Sequence, residues 1–273
     1  MTSFAERFPT AFVTGGSSGL GRVMVEGLLS EGVKVWAGSR SAARIEAMGL
    51  PVSPVALDLS EPEEVQSFLM NSPWEEAPVL LINNAGFGQF GRIGTVSDED
   101  LSRQIQAMLE SAIRLSRSFL LSPGERPSPA VVNVSSLAVE FPLPFLHGYN
   151  VVKAGLSGFS RSLALEFPGG GGKPFVIDLR PGDYRTAFND SISGSCDEEG
   201  LTETWQALEH HLQAGANPAR IWPPLRRALL RGRSRTVRTG TFFQARMAPM
   251  MARFFPEAWV TAVQKRYYRM DDE

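Results

Sequence analysis

Tyr149 and Lys153 are four residues apart, a spacing that places both side chains on one face of a helix. A free tyrosine has a pKa near about 10, which is too high for efficient proton exchange at neutral pH. A neighbouring ammonium group favours the phenolate and lowers that pKa toward the working range. Ser136 could donate a hydrogen bond to a substrate oxygen and hold it toward the phenol. These three residues therefore predict general acid–base chemistry on a carbonyl or hydroxyl oxygen.

A glycine-rich segment, residues 14–21, could bind phosphate groups. Glycines let the backbone turn sharply and approach a pyrophosphate, and a helix that begins there presents free N–H groups and the positive end of its dipole. The spacing is G-x-x-x-G-x-G instead of the better known G-x-G-x-x-G, and a turn of this kind can also be purely structural. The candidate dinucleotide contacts in this segment are Gly15, Ser17, Ser18, Gly19, Leu20 and Gly21.

The end of the second predicted strand indicates which dinucleotide is bound. A carboxylate there bonds the ribose 2′-hydroxyl of NAD, whereas an arginine accommodates the 2′-phosphate of NADP. The sequence has no carboxylate at this point and places Ser39 and Arg40 there. Because a guanidinium forms paired hydrogen bonds with a phosphate, we expect NADP(H) as the cofactor. The alternative is that Arg40 is an ordinary solvated arginine.

The elements that must position these residues alternate between short apolar strands and helical segments. Such an order predicts parallel strands joined by right-handed crossovers, and hence an α/β fold. We expect a single doubly wound Rossmann-type parallel sheet of about seven strands with helices on both faces. The predicted strands are residues 11–14, 33–37, 52–57, 79–83, 130–134, 174–179 and 236–238. The predicted helices are residues 20–30, 41–48, 61–70, 98–121, 149–167 and 218–231.

The composition is that of an ordinary globular protein, with 43% hydrophobic residues, 21% charged residues and a net charge of −2. This charge gives no electrostatic argument for a nucleic-acid partner. The single cysteine, Cys196, excludes an internal disulfide and a multi-cysteine zinc site, and we expect no metal. The sequence has neither a secretory signal nor a run of about 18 apolar residues, so we expect a cytoplasmic protein.

We expect one dinucleotide-binding and catalytic domain over residues 1–240, followed by a C-terminal extension at 241–273. Within the domain, the polar and weakly periodic segment 184–217 is predicted to be a lid over the substrate. Two interpretations of the aromatic and methionine-rich extension stay open. In the first it packs on the same domain over the substrate cleft or at a subunit interface. In the second it attaches to an anionic membrane surface, an idea that Pro249 and Pro256 weaken because they interrupt a long amphipathic helix.

Six motifs occur in an order and at spacings that resemble the short-chain dehydrogenase/reductase family. They lie at residues 14–21, 58–59, 83–86, 133–136, 149–153 and 181–182, and the resemblance covers roughly residues 8–240. It implies an NADPH-dependent oxidoreductase that transfers a hydride between nicotinamide and a small carbonyl or alcohol substrate. Tyr149 would exchange the proton, and Lys153 would also bond the nicotinamide ribose. The resemblance further implies a homodimer or homotetramer.

Further cofactor contacts follow from the same resemblance. Asp58 and Leu59 would flank the adenine, and Thr186 would contact the carboxamide. For Asn84 the alternative is structural, a side chain that stitches adjacent strands together. The cofactor contacts implied beyond the glycine-rich segment and the second strand are Asp58, Leu59, Asn84, Ala85, Gly86, Tyr149, Lys153, Pro181, Gly182 and Thr186.

One position departs from the family pattern. Many members have an asparagine in the middle of the helix before the fifth strand, where it holds a water in the proton relay. Met108 occupies that place here, and no asparagine occurs anywhere in residues 98–122. The alternative function is therefore a catalytically weak NADPH-binding sensor or scaffold protein.

The residues between Ser136 and Tyr149 border the substrate in this family. Their phenylalanines and leucines, with Phe87 and Phe90, predict an apolar pocket suited to a lipophilic ketone or alcohol. The alternative is that the same side chains pack in the core.

Overall fold

The computed structural model describes residues 3–71, 78–122, 128–186, 188, 191–194, 200–252 and 254–270. Its larger sheet has seven parallel strands in the order β3-β2-β1-β4-β6-β7-β9, and β5 pairs in parallel with β8 in a second, two-stranded sheet. The predicted seven-stranded parallel sheet is therefore confirmed. The strands are β1 (Thr10–Thr14), β2 (Lys34–Ser39), β3 (Ser53–Ala56), β4 (Leu80–Asn83), β5 (Gly88–Phe90), β6 (Ala130–Val134), β7 (Phe175–Pro181), β8 (Ile192–Gly194) and β9 (Arg235–Thr239).

Helices connect the strands, as a parallel sheet requires. They are α1 (Phe4–Arg7), α2 (Gly19–Ser30), α3 (Ala42–Glu46), α4 (Pro62–Met70), α5 (Asp98–Ile105), α6 (Ser111–Leu121), α7 (His147–Glu166), α8 (Leu201–Gln213), α9 (Trp222–Arg231), α10 (Ala248–Ala252) and α11 (Glu257–Tyr267). Within the described part of the chain, each helix is too short or too polar to cross a lipid bilayer.

Both faces of the larger sheet are buried. Successive side chains of a strand point to opposite faces, and in β1 Ala11 and Val13 join one apolar cluster while Phe12 joins the other. The first cluster includes residues of α2 and α9, and the second includes residues of α6 and α7. This arrangement explains why the strand segments read as continuous apolar runs, and it confirms the doubly wound α/β prediction.

The predicted helix over residues 98–121 is interrupted. A π-helical turn, Gln106–Glu110, separates α5 from α6, and Met108 lies in that turn. A π turn inserts an extra residue into the helix and is frequent at functional sites, but it leaves the apolar periodicity almost unchanged.

The segment 184–217, the predicted lid, contains secondary structure that the sequence analysis did not predict. The described part of this segment contains β8 and the helix α8, whose Leu201 and Leu208 are buried in the second apolar cluster. Cys196 lies outside the described residues.

Candidate active site

The carboxyl ends of β1, β4, β6 and β7 border one cavity of about 800 Å³. Ligands of parallel sheets bind at this edge. Every residue predicted for the site lines the cavity except Gly21. The predicted residues that line it are Gly15, Ser17, Ser18, Gly19, Leu20, Ser39, Arg40, Asp58, Leu59, Asn84, Ala85, Gly86, Ser136, Tyr149, Lys153, Pro181, Gly182 and Thr186.

The glycine-rich segment makes a tight turn between β1 and α2. Gly15 and Gly19 have φ values of +62° and +53°, in the region that L side chains rarely adopt. The N–H of Gly16 donates to the carbonyl of Gly38 over 3.0 Å, which ties the turn to β2. Gly21 lies in the first turn of α2, where a Cβ would be 2.9 Å from the carbonyl carbon of Gly15. Its role is therefore close packing of the turn against α2.

Asn84 fastens the end of β4 to this turn. Its side-chain amide donates to the carbonyl oxygens of Thr14 and Gly15 over 3.0 and 3.1 Å. The Thr14 hydroxyl in return accepts from the backbone N–H groups of Asn84 and Ala85. The side-chain amide of Asn84 therefore joins adjacent strand ends, as the structural alternative expects. The residue also lines the cavity.

Ser136, Tyr149 and Lys153 converge from two elements. Ser136 follows β6 and caps a short 3-10 turn, its hydroxyl accepting from the N–H of Ala138 over 3.0 Å. Tyr149 and Lys153 lie one turn apart in α7, as their spacing predicts, and both are buried. Lys153 Nζ donates to the carbonyl of Val134 over 2.7 Å and lies 5.6 Å from the centre of the Tyr149 ring.

Burial shifts the pKa values of Tyr149 and Lys153. It raises the pKa of Tyr149 to about 12, an effect that a hydrogen bond with Ser136 opposes and the charge of Asp183 reinforces. Burial lowers the pKa of Lys153 to about 8. At neutral pH the phenol therefore carries its proton and the ammonium is mostly charged. The phenol is then in the form that can donate a proton to a substrate oxygen, and any positive charge added nearby favours the phenolate.

Two arginines lie beside the end of β2. Arg40 lines the cavity, as does Arg44 of α3, which the sequence analysis did not single out. The signal for it was its place in α3, the helix that directly follows β2 and Arg40. The hydroxyls of Ser17 and Ser39 lie 3.4 Å apart and join the glycine-rich turn to the same strand end.

The segment after β7 closes the cavity from the other side. The N–H of Gly182 donates to the carbonyl of Thr239 over 2.8 Å, which joins the ends of β7 and β9. Thr186 lies next to Gly19, where a Cβ would be 3.6 Å from the Thr186 Cβ. Asp58 accepts from the backbone N–H and the hydroxyl of Ser60, and the carbonyl of Leu59 accepts from the hydroxyl of Ser111.

Met108 stands where the family pattern has an asparagine, and its side chain contacts the backbone of Phe87. It is buried, and its sulfur accepts from the N–H of Phe87 over 3.4 Å. A thioether is a weak acceptor and donates no hydrogen bond. The side chain therefore supports the turn that follows β4, but it cannot donate a hydrogen bond to a water as an asparagine could.

The predicted apolar pocket is divided between cavity and core. The residues of this set that line the cavity are Phe87, Leu137, Phe141, Leu143 and Leu146. Phe90 and Phe145 instead pack edge to face with ring centres 5.7 Å apart, and Phe90 also contacts Trp205. The prediction that Phe90 lines the pocket was therefore wrong, and the core alternative holds for it.

The C-terminal segment forms an outer wall of the cavity. Its cavity-lining residues include Phe243, Met251, Phe255, Trp259 and Val263, each of which also has a large exposed fraction. The segment rests on α8, where the rings of His211 and Tyr267 stack with centres 3.8 Å apart.

Comparison with sequences of known proteins identifies the family. The family profile described as short chain dehydrogenase matches residues 9–195. A short chain dehydrogenase of Pseudocercospora fijiensis is 33% identical over 216 residues, which cover 73% of this chain and 68% of that protein.

Two solved structures share the fold. A short-chain dehydrogenase from Streptomyces avermitilis aligns with a TM-score of 0.76 and 22% identity, covering 97% of this chain and 98% of that one. A short chain dehydrogenase/reductase from Burkholderia phymatum, solved in complex with NAD, aligns with a TM-score of 0.73 and 20% identity, covering 94% and 95%.

Proposed function

This chain belongs to the short-chain dehydrogenase family, and we propose that it is an NADP(H)-dependent oxidoreductase acting on a carbonyl/alcohol pair. The observation that carries this proposal is the convergence of Ser136, Tyr149 and Lys153 on the cavity that the glycine-rich turn also lines. Phosphate-binding geometry and acid–base groups thus share one cavity, as a hydride-transferring enzyme needs.

The residues at the carboxyl edge fit a nicotinamide dinucleotide. Gly15 lets the glycine-rich turn pack closely against the backbone that follows β4, because a Cβ there would be 2.8 Å from Ala85 Cα. The first turn of α2 adjoins the same surface and provides N–H donors for the pyrophosphate. When bound, the dinucleotide supplies the hydride donor or acceptor. Asp58 and Leu59 border the adenine end of the groove, and Thr186 borders the nicotinamide end.

The protein's own contribution is proton transfer and orientation. Ser136 donates a hydrogen bond to the substrate oxygen and holds it beside the phenol. Tyr149, protonated at neutral pH, donates its proton to that oxygen during reduction, and its phenolate accepts one during oxidation. Lys153 holds the ribose and adds a positive charge that favours the phenolate after transfer.

Arg40 should determine the preference for NADP(H). Replacing it in an Arg40→Ala variant should weaken NADPH binding by about tenfold or more, because a charge-assisted phosphate contact is lost, while NADH binding stays unchanged. Fluorescence titration with each dinucleotide measures both values. Arg22→Ala is the matched control, since Arg22 pairs with Glu26 on α2 and is not among the cavity residues. Equal binding of NADPH and NADH by the wild type would contradict the preference.

Turnover by the wild type tests the proposed function itself. We expect NADPH oxidation with aliphatic ketones and aldehydes, with kcat/KM rising as the apolar chain lengthens along the aromatic outer wall of the cavity. Absorbance of the reduced nicotinamide follows the reaction. Tight NADPH binding without oxidation across ketones, aldehydes and quinones would instead support the sensor alternative, for which Met108 is the structural observation.

A further inference from the structure

Asp183 is a carboxylate inside the substrate half of the cavity that the proposed mechanism does not use. It directly follows Pro181 and Gly182 at the end of β7 and lines the same cavity as Tyr149. Its Oδ2 accepts a hydrogen bond from the side-chain amide of Gln244, a neutral donor. Among the residues that the structure describes, no lysine or arginine forms an ion pair with this carboxylate.

The surroundings leave the negative charge of Asp183 largely uncompensated. Burial raises its pKa, and only the Gln244 hydrogen bond and the charge on His211 of α8 act in the opposite direction. The same carboxylate raises the pKa values of Tyr149, Tyr267 and Tyr268. A carboxylate in an apolar cavity is unfavourable unless a cation or several donors accompany it.

We propose that Asp183 binds an ammonium group of the substrate, close to the carbonyl that Tyr149 protonates. The substrate class is then an amino ketone, or the corresponding amino alcohol, with an apolar chain that lies along the aromatic outer wall. This inference rests on the proposed function, because it names the substrate of that same cavity. The substrate would then have one charged group, held by Asp183, in a pocket whose other walls are mainly apolar.

An ammonium group beside Asp183 would also assist proton transfer. The negative charge of Asp183 disfavours the Tyr149 phenolate, so a neutralising cation removes part of that penalty when the substrate binds. A neutral ketone of the same length would cover Asp183 without supplying a cation for its charge. Discrimination between the two substrates should therefore appear both in binding and in the chemical step.

A binding comparison isolates the charge. We expect the wild type to bind octylammonium at least about tenfold more tightly than 1-octanol, as a charge-assisted hydrogen bond provides. In Asp183→Asn, whose amide oxygen can still accept from Gln244, this ratio should fall to about one. Isothermal titration calorimetry with the full chain measures both affinities. Equal affinities in the wild type, or an unchanged ratio in Asp183→Asn, would overturn the proposal.

Two control variants separate charge recognition from architecture. Gln244→Leu breaks the hydrogen bond to Asp183 but keeps the carboxylate, so the preference for octylammonium should persist. If Gln244→Leu loses the preference for octylammonium as completely as Asp183→Asn does, the carboxylate serves only to hold the C-terminal segment through Gln244. Glu257→Gln removes one charge from exposed α11 outside the cavity lining and should leave the ratio unchanged.

The kinetic comparison uses 1-aminodecan-2-one and its neutral N-acetyl derivative with NADPH. We expect kcat/KM for the amine to exceed that of the amide by about tenfold or more, and Asp183→Asn to remove the difference. Reduction of both ketones without any preference would overturn the ammonium site and leave the proposed function standing. Absence of any reduction, with an Asp183-dependent preference for octylammonium, would overturn the function and leave the ammonium site standing.

Discussion

Replacing Tyr149 with phenylalanine should lower kcat for ketone reduction by about a thousandfold, within the range that general acid catalysis contributes. The change removes only the hydroxyl, so the ring contact with Phe188 at 5.6 Å can remain. The affinity for NADPH should change by less than about threefold, since a single neutral hydrogen bond contributes little to net binding. Steady-state kinetics and a fluorescence titration on the same preparation measure the two effects.

Tyr184→Phe is the matched control for this change. Tyr184 is also a buried tyrosine that lines the cavity, but it packs in the first apolar cluster, whereas Tyr149 packs in the second. The Tyr184→Phe variant should retain turnover within about twofold. Its lost hydroxyl takes no part in the proposed proton transfer, so we expect the change to affect stability more than chemistry. If Tyr149→Phe keeps more than a tenth of wild-type turnover, Tyr149 is not the proton donor and the proposed mechanism fails.

The parts of this protein that the sequence predicted best follow simple periodic rules. Tyr149 and Lys153 lie on one helix face because a spacing of four residues fixes their relation whatever surrounds them. The strand order is likewise constrained, since alternating strands and helices with right-handed crossovers permit few sheets. The ends of the strands were predicted less well: β7 extends to Arg180 and Pro181, whereas β3 and β4 are shorter than their predicted runs.

Features that depend on distant partners escaped the sequence analysis. Strands β5 and β8 have three residues each, too few to show a period, and they form only because they pair with each other. Asp183 drew no attention because a carboxylate beside a proline–glycine turn reads as a solvated loop residue. Its significance comes from Gln244 and from the tyrosines that lie sixty or more residues away in sequence. The π turn around Met108 shows the same limit, because it changes hydrogen bonding and leaves hydrophobic periodicity intact.

Replacing Gly21 with alanine should weaken NADPH binding by about a hundredfold or more and lower the free energy of unfolding by about 1–3 kcal/mol, as overpacking of a close contact does. The new Cβ would lie inside contact distance of the Gly15 carbonyl oxygen and the Asn84 amide, and 2.9 Å from the Gly15 carbonyl carbon. The turn would have to move and lose the Asn84 hydrogen bond to Gly15. Thermal unfolding and NADPH titration measure the two losses.

Gly158→Ala separates this effect from glycine replacement in general. Gly158 lies on the exposed side of α7, and no described atom is within 4 Å of the position that its Cβ would take. Alanine there should stabilise the helix by up to about 1 kcal/mol and leave NADPH binding unchanged. If the free energy of unfolding of Gly21→Ala falls by less than expected while NADPH binding is still weakened, the substitution has displaced the turn alone. If it binds NADPH as the wild type does, the turn does not hold the pyrophosphate, and the dinucleotide must lie elsewhere in the cavity.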